Sequence, residues 1–249
     1  ARPEVLVIFG PHGALFADAF TIEPPATLHG SFARFGAPDE QVTLSVAEQL
    51  TTEIMRAAES AELPLYGLSK QLKRRFGLSN ELDHGLAVPL WFLREAYGKA
   101  ELPPAVVINV SGLSLLEHYR LGMLIQFEIK RTGLRAAIIG SGDLSHRLSP
   151  EAPNGYHPQA HLFDEALVEL FRQQQASDLL RLEDLAESAG ECGLRPFALF
   201  LGCFDALPGS GDVLSYEAPF GVGYLVGLRH VQAGTAKSAL PELLQIREL

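Results

Sequence analysis

Short apolar runs alternate with longer segments of helical spacing along most of this chain. Residues 4–9 (EVLVIF), 105–110 and 134–140 are rich in β-branched and large aliphatic side chains. That is the pattern of strands buried on both faces. A shorter strand is predicted over 63–68, and two more over 197–204 and 221–228. In Ser45–Ala61, Val46, Leu50, Ile54, Ala57 and Ala61 recur on one helical face. Further helices are predicted around 70–75 and over 87–97, 114–132, 161–174 and 178–189. Gly133 and Gly190 stand where two of these should end. Pro89 suits the first turn of its helix, where a missing N–H costs least. Residues 14–39 and 149–158, dense in Pro, Gly and small residues, read as loops.

Strands alternating with helices predict an α/β domain whose central, largely parallel or mixed sheet is flanked by helices on both faces. Residues 1–232 form this domain. Residues 233–249 read as a helical tail or linker, in one reading leading to a further domain. The start at Ala1 suits a removed initiator or excision from a longer polypeptide.

Charge and composition narrow the partners. A formal net charge of -10 argues against nucleic acid, which needs clustered Lys and Arg. The basic stretch Lys70–Arg75 (KQLKRR) reads as a solvated helix face. No uninterrupted apolar run reaches membrane-spanning length and no signal-peptide pattern is present, so a cytoplasmic protein without a membrane partner is expected. Cys192 and Cys203 make neither a CxxC pair nor a disulfide framework. Both read as core fillers, with Cys203 alone kept as a remote ligand candidate.

Chemistry concentrates in four polar clusters beside apolar runs: Pro11-His12-Gly13, Leu82-Asp83-His84-Gly85, Ser141–His146 (SGDLSH) and Ser215-Tyr216-Glu217. In α/β proteins such clusters meet at one edge of the sheet. Two neutral imidazoles and a carboxylate could hold a divalent metal there, while a third imidazole moves protons. Each has a bland alternative: an exposed turn histidine at His12, a helix cap at Asp83 with His84 as bystander, a surface carboxylate at Glu217. His146 suits an acid/base, with Asp143 orienting or polarising the site. SGDLSH lacks the Lys of a phosphate-binding loop and the full GxSxG of a serine nucleophile. His118 and His161 read as surface or packed residues, and His157 as a further pocket residue.

The blocks GPHGALFADAF, ELDHGLAVPLWFL, INVSGLSLLEHYRLG, IIGSGDLSHRLS, GYHPQAHLFD and LSYEAPFGVGYLVG together resemble the type III extradiol ring-cleavage dioxygenases. That superfamily contains the protocatechuate 4,5-dioxygenase β-subunit and the Memo proteins, and the chain looks nearest to its AmmeMemoRadiSam-associated bacterial subgroup. The resemblance covers most of residues 4–230. It implies an extradiol dioxygenase/Memo-like fold and a non-haem iron(II) site, with zinc or another divalent metal as alternative. Its ligands would be His12, His84 and Glu217, with His146 as acid/base. Dioxygen and a small catecholic or aminophenolic aromatic are the implied substrates, and a homodimer the implied association. The alternative is a Memo-like metal-binding protein that works with an AMMECR-type or radical-enzyme partner without cleaving rings. A zinc hydrolase is a third reading.

Overall fold

Alternation along the first strand decides how the domain is layered. Val5, Val7 and Phe9 point to one side of the sheet and Leu6 and Ile8 to the other, and all five are at most 2% exposed. A strand apolar at every position must be covered twice, and the computed structural model covers it twice. It describes residues 2–98, 100–173 and 176–247. In chain order these form β1 (Val5–Gly10), β2 (Phe20–Ile22), β3 (Thr27–Phe32), β4 (Ala37–Ser45), α1 (Glu48–Ser60), β5 (Leu65–Gly67), α2 (Lys70–Phe76), α3 (His84–Ala96) and β6 (Ala105–Asn109). They continue with α4 (Leu115–Thr132), β7 (Ala136–Gly140), α5 (Ala160–Gln173), α6 (Glu183–Ala189), α7 (Leu194–Gly202), β8 (Gly209–Glu217), β9 (Tyr224–Val231) and α8 (Leu240–Arg247).

The central sheet has the order β5-β2-β6-β1-β7. β1 pairs in parallel with both β6 and β7, while β2 runs antiparallel to β6 and parallel to β5. Val5, Val7 and Phe9 share a core with Leu50 and Ile54 of α1, Leu121 and Ile125 of α4 and Leu199 of α7. Leu6 and Ile8 pack instead with Leu86 and Leu90 of α3 and with Leu28, Val42 and Leu44. The expected α/β architecture is therefore present, with the β3–β4 hairpin sharing one face with α3.

The departures from the sequence reading have identifiable causes. Residues 14–39 hold β2, β3 and the start of β4 rather than a loop. Only one side of that hairpin is buried, so its apolar residues are too sparse to form a run. The apolar run 197–204 is mostly helix α7, not a strand. Phe197, Ala198, Leu199 and Leu201 are all buried, so no polar face marks the helical period. The strand expected over 221–228 begins three residues later and pairs with β8, which the sequence reading missed. The segment 178–189 divides into a 3-10 turn, Ala176–Leu182, and α6. Of the expected helices, the end of 161–174 at Gln174 lies outside the described residues, as do residues 248 and 249 of the tail.

Two local departures matter for the site. α3 begins at His84, capped by Asp83, so Pro89 is its sixth residue rather than a first-turn residue. The KQLKRR face is not wholly solvated, because Lys73 turns inward and its Nζ meets Glu23 Oε1 at 2.8 Å.

Candidate metal centre

Three of the four polar clusters converge at the carboxyl end of the parallel strands. His12 follows β1 by two residues and Ser141–His146 follows β7 directly, so adjacent parallel strands deliver both to one edge. His84 arrives from the side, as the first residue of α3. Asp83 caps that helix through Oδ1, which accepts the Gly85 N–H at 2.7 Å. The His12 and His84 rings stack with centroids 4.7 Å apart. Asp83 Oδ1 also lies 3.6 Å from His12 Nδ1, a charge contact too long for a hydrogen bond. Donor atoms of His12, Asp83 and His84 all fall within 4.8 Å of one another.

A second group stands beside the first. Asp143, His146 and Cys192 likewise place their donor atoms within 4.8 Å of one another. His146 Nδ1 donates to the Gly190 carbonyl at 2.6 Å, and Nε2 lies 3.3 Å from Asp143 Oδ2. Cys192 Sγ accepts the Asp143 N–H at 3.2 Å, and the Cys192 N–H donates back to the Asp143 carbonyl. This pairing needs glycine on both chains. A Cβ on Gly142 would sit 2.6 Å from Gly193 Cα, and one on Gly193 would sit 2.8 Å from the Asp143 carbonyl oxygen.

Cys192 couples the two groups electrostatically: its thiol sits with Asp143 and His146, and His12 acts on it as well. Burial alone would push that thiol up, but the two imidazoles and the Asp143 N–H together hold it below its ordinary value. Asp83 first and then Cys192 raise His12 to about 10, and Asp143 followed by Cys192 raises His146 to about 10. His84 moves the other way, lowered by burial and by the neighbouring His12 charge. His146 does not complete a nucleophilic triad with Cys192 and Asp143. Gly190 occupies Nδ1 of His146, so acid and thiol must share Nε2, whereas a triad needs them on opposite ring nitrogens.

The family described as the catalytic LigB subunit of aromatic ring-opening dioxygenase matches residues 1–227. The chain belongs to the LigB family. It is 34% identical over 248 residues to Protein CA_C1420 of Clostridium acetobutylicum, covering 99% of this chain and 52% of that protein. The chain thus spans about half the length of that relative. It also shares its fold with an uncharacterized protein from Escherichia coli K12, JW3007, at a TM-score of 0.60 and 17% identity over 90% of this chain and 85% of that one.

LigB-family proteins bind a divalent metal, and the donor set of this LigB-family chain fits one. Asp83 Oδ2 is buried and has no hydrogen-bond partner, an unmet acceptor on the carboxylate that stands beside the two imidazoles. Imidazole, carboxylate and thiol donors together suit a first-row transition ion.

Not every expected residue is brought in. His12, His84, Asp143 and His146 lie in the two groups. Glu217 ends β8 with an exposed side chain, outside both groups of converging donors found among the described residues. Its cross-strand partner Tyr224 is nearer the centre, for its phenol is raised by burial and by the charges of Asp143 and Cys192. The cysteines exchange the roles expected of them. Cys203 is fully buried, its thiol pushed up by burial, and belongs to the core beside β1. Cys192 is the one that lies among candidate donors. The signal available in the sequence was ECG, a short polar-glycine break before an apolar run, of the same kind as the four clusters. Ser145 is buried and structural, its N–H held by Asp164 at 2.8 Å and its hydroxyl donating to the Ala189 carbonyl. His118 is packed, as one of its two readings had it, and His161 is exposed.

Proposed function

We propose that this chain opens the ring of a catecholic or aminophenolic compound with dioxygen, at a metal centre whose ion is iron(II). The observation that carries this reading is the stacked His12–His84 pair beside the partnerless Asp83 Oδ2, next to an independently held His146. Membership of a ring-opening dioxygenase family supports it. His12 and His84 would hold the ion with Asp83, whose donor atom shares their group, while Cys192 of the adjoining group and, on family resemblance, Glu217 are the candidates for a further donor. When bound, a redox-active divalent ion supplies the electron exchange between an aromatic diol and dioxygen that neither undergoes readily alone.

The protein groups then have separable tasks. Asp83, whose Oδ1 caps α3 at His84 and stands 3.6 Å from His12 Nδ1, ties the two imidazoles to one carboxylate. His146 exchanges protons at Nε2 alone, because Nδ1–H is committed to the Gly190 carbonyl. Asp143, 3.3 Å from that nitrogen, supports its charged form.

One observation favours a second reading. Cys192, grouped with Asp143 and His146, offers a thiol donor that favours softer ions than iron(II), and would suit a Memo-like metal protein that does not cleave rings. Anaerobic iron loading followed by oxygen uptake with a panel of catechols and aminophenols separates the two. Turnover that His146→Ala removes while iron stays bound supports ring opening. Stoichiometric iron with no oxygen uptake across the panel overturns it in favour of the second reading.

A further inference from the structure

Beside the metal centre lies a groove that the chemistry above does not use. On α3, His84, Val88 and Phe92 follow at intervals of four, so one exposed stripe runs from the metal-binding imidazole along the helix. Val88 is 41% and Phe92 63% exposed, an unusual state for two large apolar residues on neighbouring turns. The opposite wall comes from the turn joining β3 to β4. There Phe35, 57% exposed, sets its ring edge-on to His84 with centroids 5.6 Å apart. Gly36, at φ +83°, supplies the left-handed residue that closes this turn. Trp91 forms part of the wall, its indole N–H held by Glu40 at 2.6 Å, and Glu40 is in turn held by Arg94 at 2.8 Å.

Between Phe32, Phe35, Val88, Trp91 and Phe92 this leaves a groove of about 260 Å³ whose walls expose only carbon. Its volume is near the lower end of small-molecule sites, about 300 Å³. A stable protein partner would need roughly 800 Å² of surface per side. One end opens at His84 through Phe35, which belongs both to the groove and to the aromatic row His12–His84–Phe35.

We infer that the ligand of this centre carries an apolar arm, an alkyl or aryl substituent on its ring, and that the arm lies in the groove between α3 and the β3–β4 turn. The inference rests on the ring-opening reading for the head group and adds the substituent that the site selects. Phe35 is the hinge of that selection, because an arm leaving a ring held at His84 must pass its edge.

Trp91 is the sole tryptophan, so its fluorescence reports the groove directly. The test titrates the zinc-loaded full chain, without oxygen chemistry, with catechol, 4-hexylcatechol and the non-chelating isomer 4-hexylresorcinol. Calorimetry and Trp91 emission are read together. Hexylcatechol should bind at least about tenfold tighter than catechol, given about 0.8 kcal/mol per fully buried methylene and an open groove that buries only part of the chain. It should also perturb Trp91, while hexylresorcinol binds weakly. Phe92→Ser and Phe35→Ser, both at exposed positions, should each bring the ratio of the two catechol affinities towards one. Catechol binding with no gain from the hexyl arm overturns the inference and leaves the ring-opening reading standing. Failure of both catechols overturns the two together. Equal binding of hexylresorcinol, or Phe92→Ser converting a dimer to monomer with the ratio unchanged, assigns the groove to nonspecific contact or to a second copy, and also overturns it.

Discussion

The Ser141 hydroxyl donates to the Gly85 carbonyl oxygen at 2.5 Å, and Pro89 is the reason that oxygen is free to accept. In an α-helix the Gly85 carbonyl would receive the N–H of residue 89, which proline lacks. The helix that carries His84 is thereby tied through its first turn to the loop that carries His146. The sixth position of α3 is thus where a proline has a use.

Removing that hydroxyl tests the tie. Ser141→Ala leaves the Gly85 carbonyl without its partner, and should cost about 1–2 kcal/mol of stability in urea unfolding. Because Gly85 adjoins His84, affinity for zinc in a competitive titration should also fall several-fold. Unchanged affinity would show that the tie serves folding alone.

A pair of substitutions decides between the two further donors. Cys192 Sγ lies in one donor group with Asp143 and His146, whereas Glu217 is exposed at the end of β8. Cys192→Ala should lower metal affinity by at least about tenfold, the lower end of the range given even for supporting groups. Glu217→Gln should lower it far less. Metal content after dialysis against a graded chelator gives the ranking, and the reverse order would restore the carboxylate set that family resemblance implies.

His118 gives the fold a pH dependence of its own. Its ring is fully buried, with Nδ1–H donating to the Ser114 carbonyl at 2.8 Å and Nε2 accepting the Ser111 N–H at 3.3 Å. Phe20 packs edge-on at 4.7 Å. Both nitrogens are therefore committed to the neutral form, and burial lowers the group to about 4 from an ordinary 6.5. Between these values the unfolded chain binds the proton and the folded chain does not. This contribution is intact above pH 6.5 and is lost as pH falls towards 4, by about 3 kcal/mol in all. Urea unfolding at pH 7.5 and pH 5 should show the wild type losing more stability than His118→Leu, whatever that variant costs at neutral pH. Equal losses would mean that the ring takes up its proton without leaving its site.

What could be read in advance, and what could not, follows from where each signal resides. β1 and β6 were legible because a strand buried on both faces is apolar at every position, and β7, a half-buried edge strand, because it is apolar throughout; the polar residue that follows such a run is conspicuous. For the same reason His12 and His146 were visible as candidates. α7 was mistaken because total burial erases the period by which a helix is told from a strand. Cys192 was passed over because its role comes from two loops meeting at Gly142 and Gly193, a contact between residues fifty-one apart that leaves no local pattern. Asp83 was recognisable as a helix cap, and the structure puts the same oxygen 3.6 Å from His12 Nδ1.

Lys73 is the clearest case of a residue whose surroundings reverse its ordinary role. Helix α2 is almost wholly basic on its last turn, yet Lys73 is its one buried residue, and its Nζ meets Glu23 Oε1 at 2.8 Å. Burial raises the Glu23 carboxyl above its ordinary value, and Lys73 works against that rise. Lys73→Met leaves the carboxylate buried and unpaired, and should cost about 3–5 kcal/mol at pH 8. The loss should shrink as the pH is lowered. In the variant nothing opposes the raised Glu23 value, so the folded state keeps its proton above pH 4.5 while the unfolded chain gives it up, and stability falls as pH rises. Adding Glu23→Gln should recover most of the loss and flatten the pH dependence, since a neutral pair of similar shape needs no counter-charge. Urea unfolding of the wild type, Lys73→Met and the double variant at pH 5 and pH 8 checks both statements. A single variant as stable as wild type at pH 8 would show that water reaches the pair and that the helix is held by its other contacts.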